Sequence, residues 1–582
     1  MTAVGLQCFN GYHGMLEHTQ YDFDAIVVGS GISGGWAAKE LTEKGLKVLV
    51  LERGKPLQAG SGYLGEHAPP WKVPYQGKRP RELYEEEYPV QSKVWHSFNE
   101  TSRQFWNNDK ENPYATDEGK PFLWARADVV GGRSLIWGRQ TYRFSAEDFK
   151  ANEVDGHGIP WPVTYDEIAP WYSYVEKFVG ISGKSEGLPQ LPDSEFQKPM
   201  PWFALEETIH GRLKKKAPDI TLTSARVSIL TEDLPGRKAC HYCGPCYRGC
   251  STGSYFSSQA STLPAATATG NMTLRANSVV ERLEYDADSG KVSRVHVIDT
   301  QTKERMAFSS RIVFLCASTV GSTQILMQSA SNAFPDGLAN SSGVLGKYMM
   351  DHALGISGLG LFLDNMDSYY HGNRPTGLYI PRFRNVGAQD EDADFLRGYG
   401  YQTATLRQDW QTGFNTTGFG AGLKDKLRKP GPWIFALAGF SECLPRESNR
   451  MYLSKRQVDR FGMPLAAFDF EWSDNEINAR KDATKQAQRI LRAAGAVLAL
   501  PGQEEMSVPG EGIHEMGTAR MGDDPNQSIL NKWNQAHDVP NLFVTDGSFM
   551  TSASCVNPSL TYMAFTARAC DYAVQQLNEG LI

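Results

Sequence analysis

The most regular pattern of apolar and polar positions lies near the start of the chain. Residues 24–29, DAIVVG, form a short apolar run with β-branched side chains, which predicts a buried parallel strand. The segment GGWAAKELTEKG predicts a helix that stops at Gly45. The run KVLVLE then predicts a second strand that ends at Glu52. This order of strand, helix and strand predicts a βαβ unit over residues 22–54.

Further strands and helices are predicted downstream. The segment NEINARKDATKQAQRILRAAGAV predicts a long helix. NLFVTDGS predicts a strand and a turn, after which Asn557 as N-cap and Pro558 at the first helical position open a helix to about residue 578. Alternating or apolar runs predict strands at 220–230, at 271–286 with SGKVSRVHVIDT as its hairpin partner, at IVFLCAS and at GISGLGLFL.

Length and composition narrow the class of protein. A chain of 582 residues is too long for one compact core and predicts two or more domains. Its 41% hydrophobic and 21% charged residues are ordinary for a globular protein, and a formal charge of −7 argues against nucleic acid as a partner. No apolar run approaches the roughly 18 residues of a membrane span. The first twenty residues lack the pattern of an export signal, so we expect no export address on this chain.

The loop between the first strand and helix carries glycines with a physical role. Gly29, Gly31 and Gly34 stand in G-x-G-x-x-G spacing. They allow a tight turn, close approach of backbone to a pyrophosphate, and close helix–strand packing. Glu52 can accept hydrogen bonds from the adenosine ribose. These features together predict a dinucleotide site; the alternative is a βαβ unit that binds nothing.

Two further segments carry candidate chemistry. The turn VVGGRSLIWGRQ, residues 129–140, could approach a long cofactor, although alone it is equally typical of an ordinary loop. His514 lies in the glycine-flanked loop GIHEMGTARMG. Histidine suits a base that takes a hydroxyl proton, because its pKa lies near neutrality. Asn557 could hold the same hydroxyl, while His537 is expected to be structural.

These segments together identify a family resemblance. GSGISGG with Glu52, GGRSLIWG, LCASTVGSTQIL, LGKYMMDH, HEMGT and NPSLT resemble the glucose–methanol–choline (GMC) oxidoreductases along nearly the whole chain. The resemblance implies bound FAD, His514 as catalytic base and Asn557 as its partner. It also implies that further residues contact the cofactor: Gly29, Gly31, Gly34, Glu52, Arg53, Gly132, Arg133, Ser134, Trp137, Gly138, Val279, Ala317, Asp546, Gly547, Asn557, Pro558 and Thr561.

The resemblance also implies the architecture. We expect an α/β fold with a discontinuous, Rossmann-like FAD-binding domain and an α+β substrate domain built on an antiparallel sheet. The expected FAD-binding domain comprises residues 20–60, 115–150, 205–355 and 505–582, with an inserted cysteine loop at 236–256. The expected substrate domain comprises residues 151–204 and 356–504, and residues 61–114 are expected to form a surface excursion.

One departure from related proteins bears on the cofactor. Some pyranose oxidases attach their flavin through a histidine in an STHW turn. The corresponding turn here reads SLIW, with Ile136 at the position of that histidine. We therefore expect noncovalent FAD.

Four of the nine cysteines lie within eleven residues and need a separate explanation. Cys240, Cys243, Cys246 and Cys250 give the spacing C-x2-C-x2-C-x3-C. An iron–sulfur cluster, a zinc site and disulfides are all compatible with four close cysteines. We favour an iron–sulfur cluster, [4Fe–4S] first and [3Fe–4S] second, because a reduced flavin must pass its electrons on.

The expected function combines these features. The chain looks most similar to the large subunits of bacterial FAD/iron–sulfur sugar dehydrogenases such as glucoside 3-dehydrogenases. That resemblance implies oxidation of a ring hydroxyl, at C3, of a sugar or glycoside, with electrons passed to an external acceptor. It further implies a small subunit with an export signal, a cytochrome c or other acceptor, and a periplasmic location through that partner, with the cytoplasm as the alternative. Two other functions stay open: a pyranose-type oxidase that reduces oxygen and has a structural four-cysteine metal site, and a noncatalytic electron-transfer or assembly subunit.

Overall fold

A computed structural model gives the fold of most of the chain. The expectation about an export address concerns the first twenty residues, which lie outside the described part. The structure describes residues 21–77, 79–94, 97–368, 374–407, 418–428, 430–503 and 505–582.

A five-stranded parallel sheet forms the base of the molecule. Its strand order is β19-β11-β1-β2-β7, and every neighbouring pair is parallel. The predicted βαβ unit is confirmed, with helix α1 (Ile32–Glu43) between the first two strands and Gly45 at φ 87° just past its end. The strands are β1 (Phe23–Val28), β2 (Val48–Leu51), β7 (Met272–Arg275), β11 (Ser310–Leu315) and β19 (Leu542–Val544).

Successive side chains of these strands point to opposite faces of the sheet, and each face packs against a separate core. Ala25 and Val27 of β1 pack with α1 and with α10 (Ser559–Asn578) on one face. Ile26 and Val28 belong to the core on the other face. That core includes a three-stranded antiparallel sheet of the predicted hairpin and a third strand: β8 (Ser278–Asp286), β9 (Lys291–Asp299) and β10 (Arg305–Phe308).

A six-stranded antiparallel sheet forms the second large unit. Its strand order is β18-β12-β15-β14-β13-β6. One face packs on helices α5 (Ala204–Lys216) and α9 (Asp474–Ala494) around a core that includes Phe435 and Leu437. The strands are β6 (Thr223–Ser224), β12 (Ala353–Phe362), β13 (Leu378–Ile380), β14 (Tyr399–Leu406), β15 (Trp433–Ser441) and β18 (Leu498–Pro501).

Smaller elements complete the chain. A mixed sheet contains β16 (Arg450–Val458), β17 (Pro464–Asp469) and β3 (Ala115–Thr116), and a two-stranded one contains β4 (Ile181–Ser182) and β5 (Phe196–Gln197). The remaining helices are α2 (Arg81–Glu87), α3 (Ala146–Asp155), α4 (Tyr165–Val179), α6 (Thr262–Ala268), α7 (Thr319–Gln328) and α8 (Gly420–Arg428).

Three local differences from the predictions have physical reasons. The strand predicted at 220–230 is reduced to Thr223–Ser224, because the backbone beyond it pairs only through single bridges, of Val227 with Gln140 and Ser182 and of Ile229 with Tyr255. The last helix begins at Ser559, one residue later than predicted. The side chain of Asn557 does not cap it, because that amide bonds to other side chains.

Two helices pack against a different unit from the domain to which their residue ranges were assigned. Helix α5, within the range assigned to the FAD-binding domain, packs beneath the six-stranded sheet. Helix α4, within the range assigned to the substrate domain, packs on α10 instead. Phe98, Phe105 and Trp106 of the excursion 61–114 share a small core with Leu123 and Val129. The described part of the excursion therefore packs against the range that was assigned to the FAD-binding domain.

The chain thus has an α/β fold in which a parallel, Rossmann-like sheet is joined to an antiparallel α+β unit, with a cysteine-bearing loop. Among the helices of the described ranges, we find none with the length and apolar character needed to cross a membrane.

Candidate active site

A cavity of about 840 Å³ lies between the carboxyl ends of the parallel strands and the antiparallel sheet. Gly29 follows β1, Glu52 follows β2, Ala317 follows β11 and Asp546 follows β19, and all four line it. Ligands of open α/β sheets bind at this edge, because loops there are free of sheet pairing and helix N-termini point to it. The cavity therefore lies where the glycine pattern predicts a dinucleotide.

The glycine loop has the geometry that its spacing requires. Gly29 has φ 100°, a conformation that disfavours other residues. A Cβ on Gly34 would collide with the carbonyl of Gly29, so the helix lies directly on the turn. No atom lies within 4 Å of the position that a Cβ on Gly31 would take. Open space therefore adjoins the loop at the N-terminus of α1, where a pyrophosphate is stabilised by backbone N–H groups.

The carboxylate of Glu52 is buried at the same edge. It accepts hydrogen bonds from the backbone N–H of Ser30 at 3.0 Å and the Ser30 hydroxyl at 2.6 Å. Its other oxygen accepts from Gly54 N–H at 2.7 Å. Burial raises the pKa of Glu52 above its ordinary value. Glu52 thus braces the glycine loop, and its remaining lone pairs can accept from a ribose.

The second glycine-rich turn closes the cavity from the side. Arg133 forms an ion pair with Glu515 at 2.6 Å, which joins this turn to the loop of His514. Arg139 is 2% exposed and donates to the carbonyls of Ser134 (2.9 Å), Leu135 (3.2 Å) and Phe256 (2.9 Å). No pattern in the sequence predicts a role for Glu515 or Arg139.

The predicted cofactor residues fall into two groups. Gly34, Pro558 and Thr561 lie outside the cavity lining, and the Thr561 hydroxyl meets the Tyr172 hydroxyl at 2.8 Å. The others line the cavity: Gly29, Gly31, Glu52, Arg53, Gly132, Arg133, Ser134, Trp137, Gly138, Val279, Ala317, Asp546, Gly547 and Asn557.

The two predicted catalytic side chains meet inside this cavity. Asn557 Nδ2 lies 3.1 Å from His514 Nε2, and Asn557 Oδ1 accepts a hydrogen bond of 2.7 Å from Gln402 Nε2. Because Asn557 Oδ1 accepts from Gln402, its amide nitrogen faces His514 as a donor. Position 402 lies on β14, so the antiparallel sheet fixes the amide that faces the histidine.

A second histidine sets the tautomer of His514. His352 Nε2 lies 2.8 Å from the Ser554 carbonyl, and His352 Nδ1 lies 2.8 Å from His514 Nδ1. A carbonyl only accepts, so a neutral His352 carries its proton on Nε2 and presents a lone pair at Nδ1. His514 must then donate from Nδ1. Its Nε2 is left with a lone pair, which is the state of a general base.

Burial holds both imidazoles neutral. The pKa of His352 is lowered to about 4 by burial. Burial also lowers the pKa of His514 well below its ordinary value, and His352 and Arg133 nearby add to the effect. The base is therefore unprotonated at neutral pH.

Asp351 positions the loop that carries His514. One oxygen accepts from Gly510 N–H at 2.9 Å and Gly512 N–H at 3.1 Å, and the other accepts from His514 N–H at 3.0 Å. Burial and the nearby Glu515 raise the pKa of Asp351 to about 7. A carboxylate that collects three backbone donors fixes the direction of the His514 side chain.

The sequence contained a partial signal for these positioning residues. Asp351 and His352 end the segment LGKYMMDH, which supports the resemblance but was given no role in the site. Gln402 lies in a strand with no distinctive motif. Only the tertiary fold brings Gln402 to Asn557.

The cavity fits FAD by its unpaired polar atoms as well as by its shape. Within the described ranges, Glu515 Oε1 and the Tyr562 hydroxyl are buried without a hydrogen-bond partner, and both residues line the cavity. Each such group costs about 1–3 kcal/mol if it stays unpaired. A polar ring system and its ribityl chain would supply partners there.

The four clustered cysteines surround a separate small cavity of about 20 Å³, which Glu66 and Tyr255 also line. Tyr242 N–H donates to Cys240 Sγ at 3.4 Å. Gly249 has φ 106°, and a Cβ there would collide with the ring of Tyr63. The loop is thereby shaped by glycine where it winds most tightly.

The cysteine side chains are free thiols in this structure. Burial raises the pKa of Cys246 to about 12, and the charge of Arg139 opposes that shift. Over the described ranges, no three of the Cys, His, Asp and Glu side chains stand close enough to hold one metal ion. The positions of these side chains therefore identify no particular metal centre at this loop.

Comparison with known proteins establishes the family. The model of the N-terminal GMC oxidoreductase domain matches residues 23–354, and that of the C-terminal GMC oxidoreductase domain matches residues 445–566. The chain therefore belongs to the GMC oxidoreductases. It is an FAD-dependent oxidoreductase that acts on hydroxyls of alcohols or sugars.

Relatives of the chain include characterised dehydrogenases. A 2-methyl-1,2-propanediol dehydrogenase of Mycolicibacterium austroafricanum is 30% identical over 96% of this chain and 96% of its own. The fructose dehydrogenase large subunit of Gluconobacter japonicus is 25% identical over 96% and 98% of the two chains. A formate oxidase structure from Aspergillus oryzae superposes with a TM-score of 0.59 at 14% identity, over 96% and 99% of the chains, and so shares the fold.

Proposed function

We propose that this chain is a dehydrogenase that oxidises a ring hydroxyl, at C3, of a sugar or glycoside and passes the electrons through an iron–sulfur cluster to an external acceptor. The observation that carries the proposal is the unprotonated Nε2 of His514 beside the Asn557 amide, in the cavity that the cofactor loops line.

The chain's own residues supply the proton chemistry. The substrate hydroxyl gives its proton to His514 Nε2 as the C–O bond becomes a carbonyl. Asn557 Nδ2 lies 3.1 Å from that nitrogen, and a bound hydroxyl would take the place of this contact and accept the hydrogen bond of Asn557 on its oxygen. His352 keeps the accepting nitrogen free of a proton, since it takes the hydrogen bond from His514 Nδ1. FAD bound in the cavity would supply the acceptor for the hydride of the same carbon.

The four cysteines are proposed as ligands of the iron–sulfur cluster. Their spacing is similar to the ferredoxin run, and four thiols line one small cavity beside the buried Arg139. Four cysteines favour [4Fe–4S] over [3Fe–4S]. Such a cluster would supply one-electron transfer to a partner.

The partner is proposed from a relative. One similar protein is by name a large subunit, which supports assembly of this chain with other subunits. We propose a small subunit that carries an export signal, and a cytochrome c or other redox protein as acceptor. Location in the periplasm would follow from that small subunit.

The test is an anaerobic titration of the purified holoenzyme with a panel of glucosides, in which flavin bleaching and the cluster's EPR signal are followed together. We expect both signals to change with the same substrate. Bleaching without a cluster signal, together with peroxide formed at the rate of sugar oxidation, would instead identify an oxygen-reducing oxidase. If none of the hydroxylated substrates reduced the flavin, the chain would be identified as a noncatalytic subunit.

Metal analysis tests the cluster separately. The Cys246→Ser variant should lose most of its iron and acid-labile sulfide while it keeps its FAD. Cys443→Ala is the matched control, because Cys443 is buried elsewhere in the core. Zinc without iron in the unmodified protein would overturn the electron relay.

A further inference from the structure

The antiparallel sheet covers the catalytic pair with an apolar face. Alternate positions of β12, β14 and β15 line the cavity, while the intervening positions pack on α5 and α9. The catalytic pair is covered by residues of three strands. Leu354 pairs with Phe440, and Ile356 and Gln402 both pair with Ala438. The Phe440 ring centroid lies 6.1 Å from that of His514.

Among the described residues, the same face continues outward with apolar side chains. The next row contains Leu359, Ala436 and Ala404, which pair across the three strands. The row beyond it includes Ile434 and Leu406, which are 39% and 53% exposed. Two residues of an extended strand span about 7 Å, so the aliphatic face runs about 14 Å from Gln402 to the surface.

Among the described residues that line this part of the cavity, the hydrogen-bonding side chains belong to β14, to Gln140 and to the loop before His514. Gln402 bonds to Asn557, Gln140 bonds to Thr376, and the hydroxyl of Thr403 accepts from Leu378 N–H. The loop before His514 contributes Gln503, Ser507 and Glu511. The Ser507 hydroxyl is buried with no partner among the described residues.

This distribution decides which part of a substrate can lie against the sheet. A sugar hydroxyl that loses water there finds no partner among the described residues of the face, which weakens binding by about 5- to 150-fold for each group. An apolar group strengthens binding by about fourfold for each buried CH₂. The sheet face therefore favours an apolar substituent and disfavours a second sugar ring.

The geometry points to a glycoside with an apolar aglycone as the substrate. The sugar ring occupies the inner end, beside His514, Asn557 and Ser507, and the aglycone lies along the Leu359 row toward Leu406. This inference rests on the proposed function, which supplies the sugar ring, and adds the chemical class of the group attached to it.

The experiment compares glycosides that differ only in the aglycone. Anaerobic flavin reduction of the holoenzyme is measured with methyl and hexyl glucosides of both anomers, with glucose and with hexan-1-ol. We expect kcat/KM to be at least about tenfold higher for one hexyl glucoside than for its methyl counterpart, since five added CH₂ groups each contribute up to about fourfold.

Variants at position 359 test whether the preference for the hexyl aglycone arises from the sheet face. Leu359→Asn should lower the hexyl-to-methyl ratio of kcat/KM by about tenfold, because it exchanges an apolar side chain for a polar one of similar size. Leu359→Met should keep the ratio. Leu363→Asn is the matched control, since Leu363 is 56% exposed just past β12 and does not line the cavity; its ratio should equal that of the unmodified protein.

The outcomes separate the two proposals. Oxidation of methyl and hexyl glucosides with equal kcat/KM would overturn the aglycone inference and leave the proposed function intact. Oxidation of hexan-1-ol with no turnover of any glucoside would overturn the proposed sugar chemistry itself. A preference for hexyl that survives Leu359→Asn would show that the aglycone binds elsewhere, and would also reject the inference.

Discussion

The imidazoles of His352 and His514 meet through their Nδ1 atoms at 2.8 Å, so only one of the two can carry a proton between them. The Ser554 carbonyl decides which one, because it accepts a hydrogen bond from His352 Nε2. The main chain of residue 554 thereby controls the protonation of a base in a different loop.

Replacement of His352 tests this control. His352→Leu removes the acceptor of the His514 Nδ1 proton, so the loss of about 1–3 kcal/mol predicts a fall in kcat of about 5- to 150-fold. His352→Gln can still donate to Ser554 and accept from His514, and should restore much of the rate. The His514 ¹⁵N chemical shifts report the tautomer. A mixed tautomer population in the unmodified protein would contradict the arrangement.

Replacement of His514 tests the base itself. His514→Ala should slow flavin reduction by about 10²–10⁴-fold, because it removes the Nε2 lone pair that takes the proton of the substrate hydroxyl. Stopped-flow absorbance measures the rate under anaerobic conditions. His537→Ala serves as control, since His537 bonds to Ser528 and does not line the cavity. An equal effect of both substitutions would remove His514 from the mechanism.

The lowered pKa of His514 predicts the pH dependence of kcat/KM. A base must be unprotonated, and burial moves its protonation to acid pH. His514 should therefore stay unprotonated as the pH falls from 8 to 6. Any decline of kcat/KM in that range would report the Asp351 carboxyl, whose pKa is about 7, and should be absent from the Asp351→Asn variant. A half-maximal rate near pH 6.5 that persists in Asp351→Asn would mean that His514 titrates like an exposed histidine.

Removal of one oxygen from Asp351 should loosen the His514 loop. Both carboxylate oxygens accept backbone N–H groups, and Asp351→Asn turns one of them into a donor that faces another donor. Loss of about 1–3 kcal/mol predicts about 5- to 150-fold faster amide hydrogen exchange at Gly510 to His514. Asp336→Asn, on the exposed surface, should leave this exchange as it is.

The side chain at position 136 predicts how the flavin is held. Ile136 lines the cavity and offers no nitrogen for a covalent bond. Acid or heat denaturation should therefore release free FAD into the supernatant, measured by its fluorescence. Flavin that sediments with the precipitated protein would show attachment through another residue.

The hydrophobic pattern predicted the elements of the fold that neighbouring residues in the sequence determine. The first βαβ unit occurs as expected, because its strands are short apolar runs with flanking glycine. The run 271–286, predicted as one strand, divides in two: Ser278–Asp286 forms the predicted hairpin, whereas Met272–Arg275 pairs with β2 in the parallel sheet. The run 220–230 also alternates and yet forms almost no strand, because its backbone partners are single bridges to distant segments that no local pattern encodes.

The residues of the candidate site were likewise predicted only in part. Glycine spacing and a histidine between glycines identified the cofactor loop and His514 from the sequence. Gln402 and Ser554 escaped prediction, because a strand amide and a main-chain carbonyl look ordinary until the fold brings them to Asn557 and His352. The role of a positioning residue is therefore harder to predict from the sequence than the role of a catalytic residue, because it depends on tertiary contacts.

The buried Arg139 has a mechanical consequence. Its planar guanidinium donates to carbonyls of the turn at Ser134 and Leu135, and also to that of Phe256, the last residue of the cysteine loop. It lies 3.6 Å from the centroid of the Tyr255 ring. One buried side chain therefore joins the cofactor turn to the cysteine loop. In the proposed electron relay, Arg139 would thus help to set the distance that an electron has to cross.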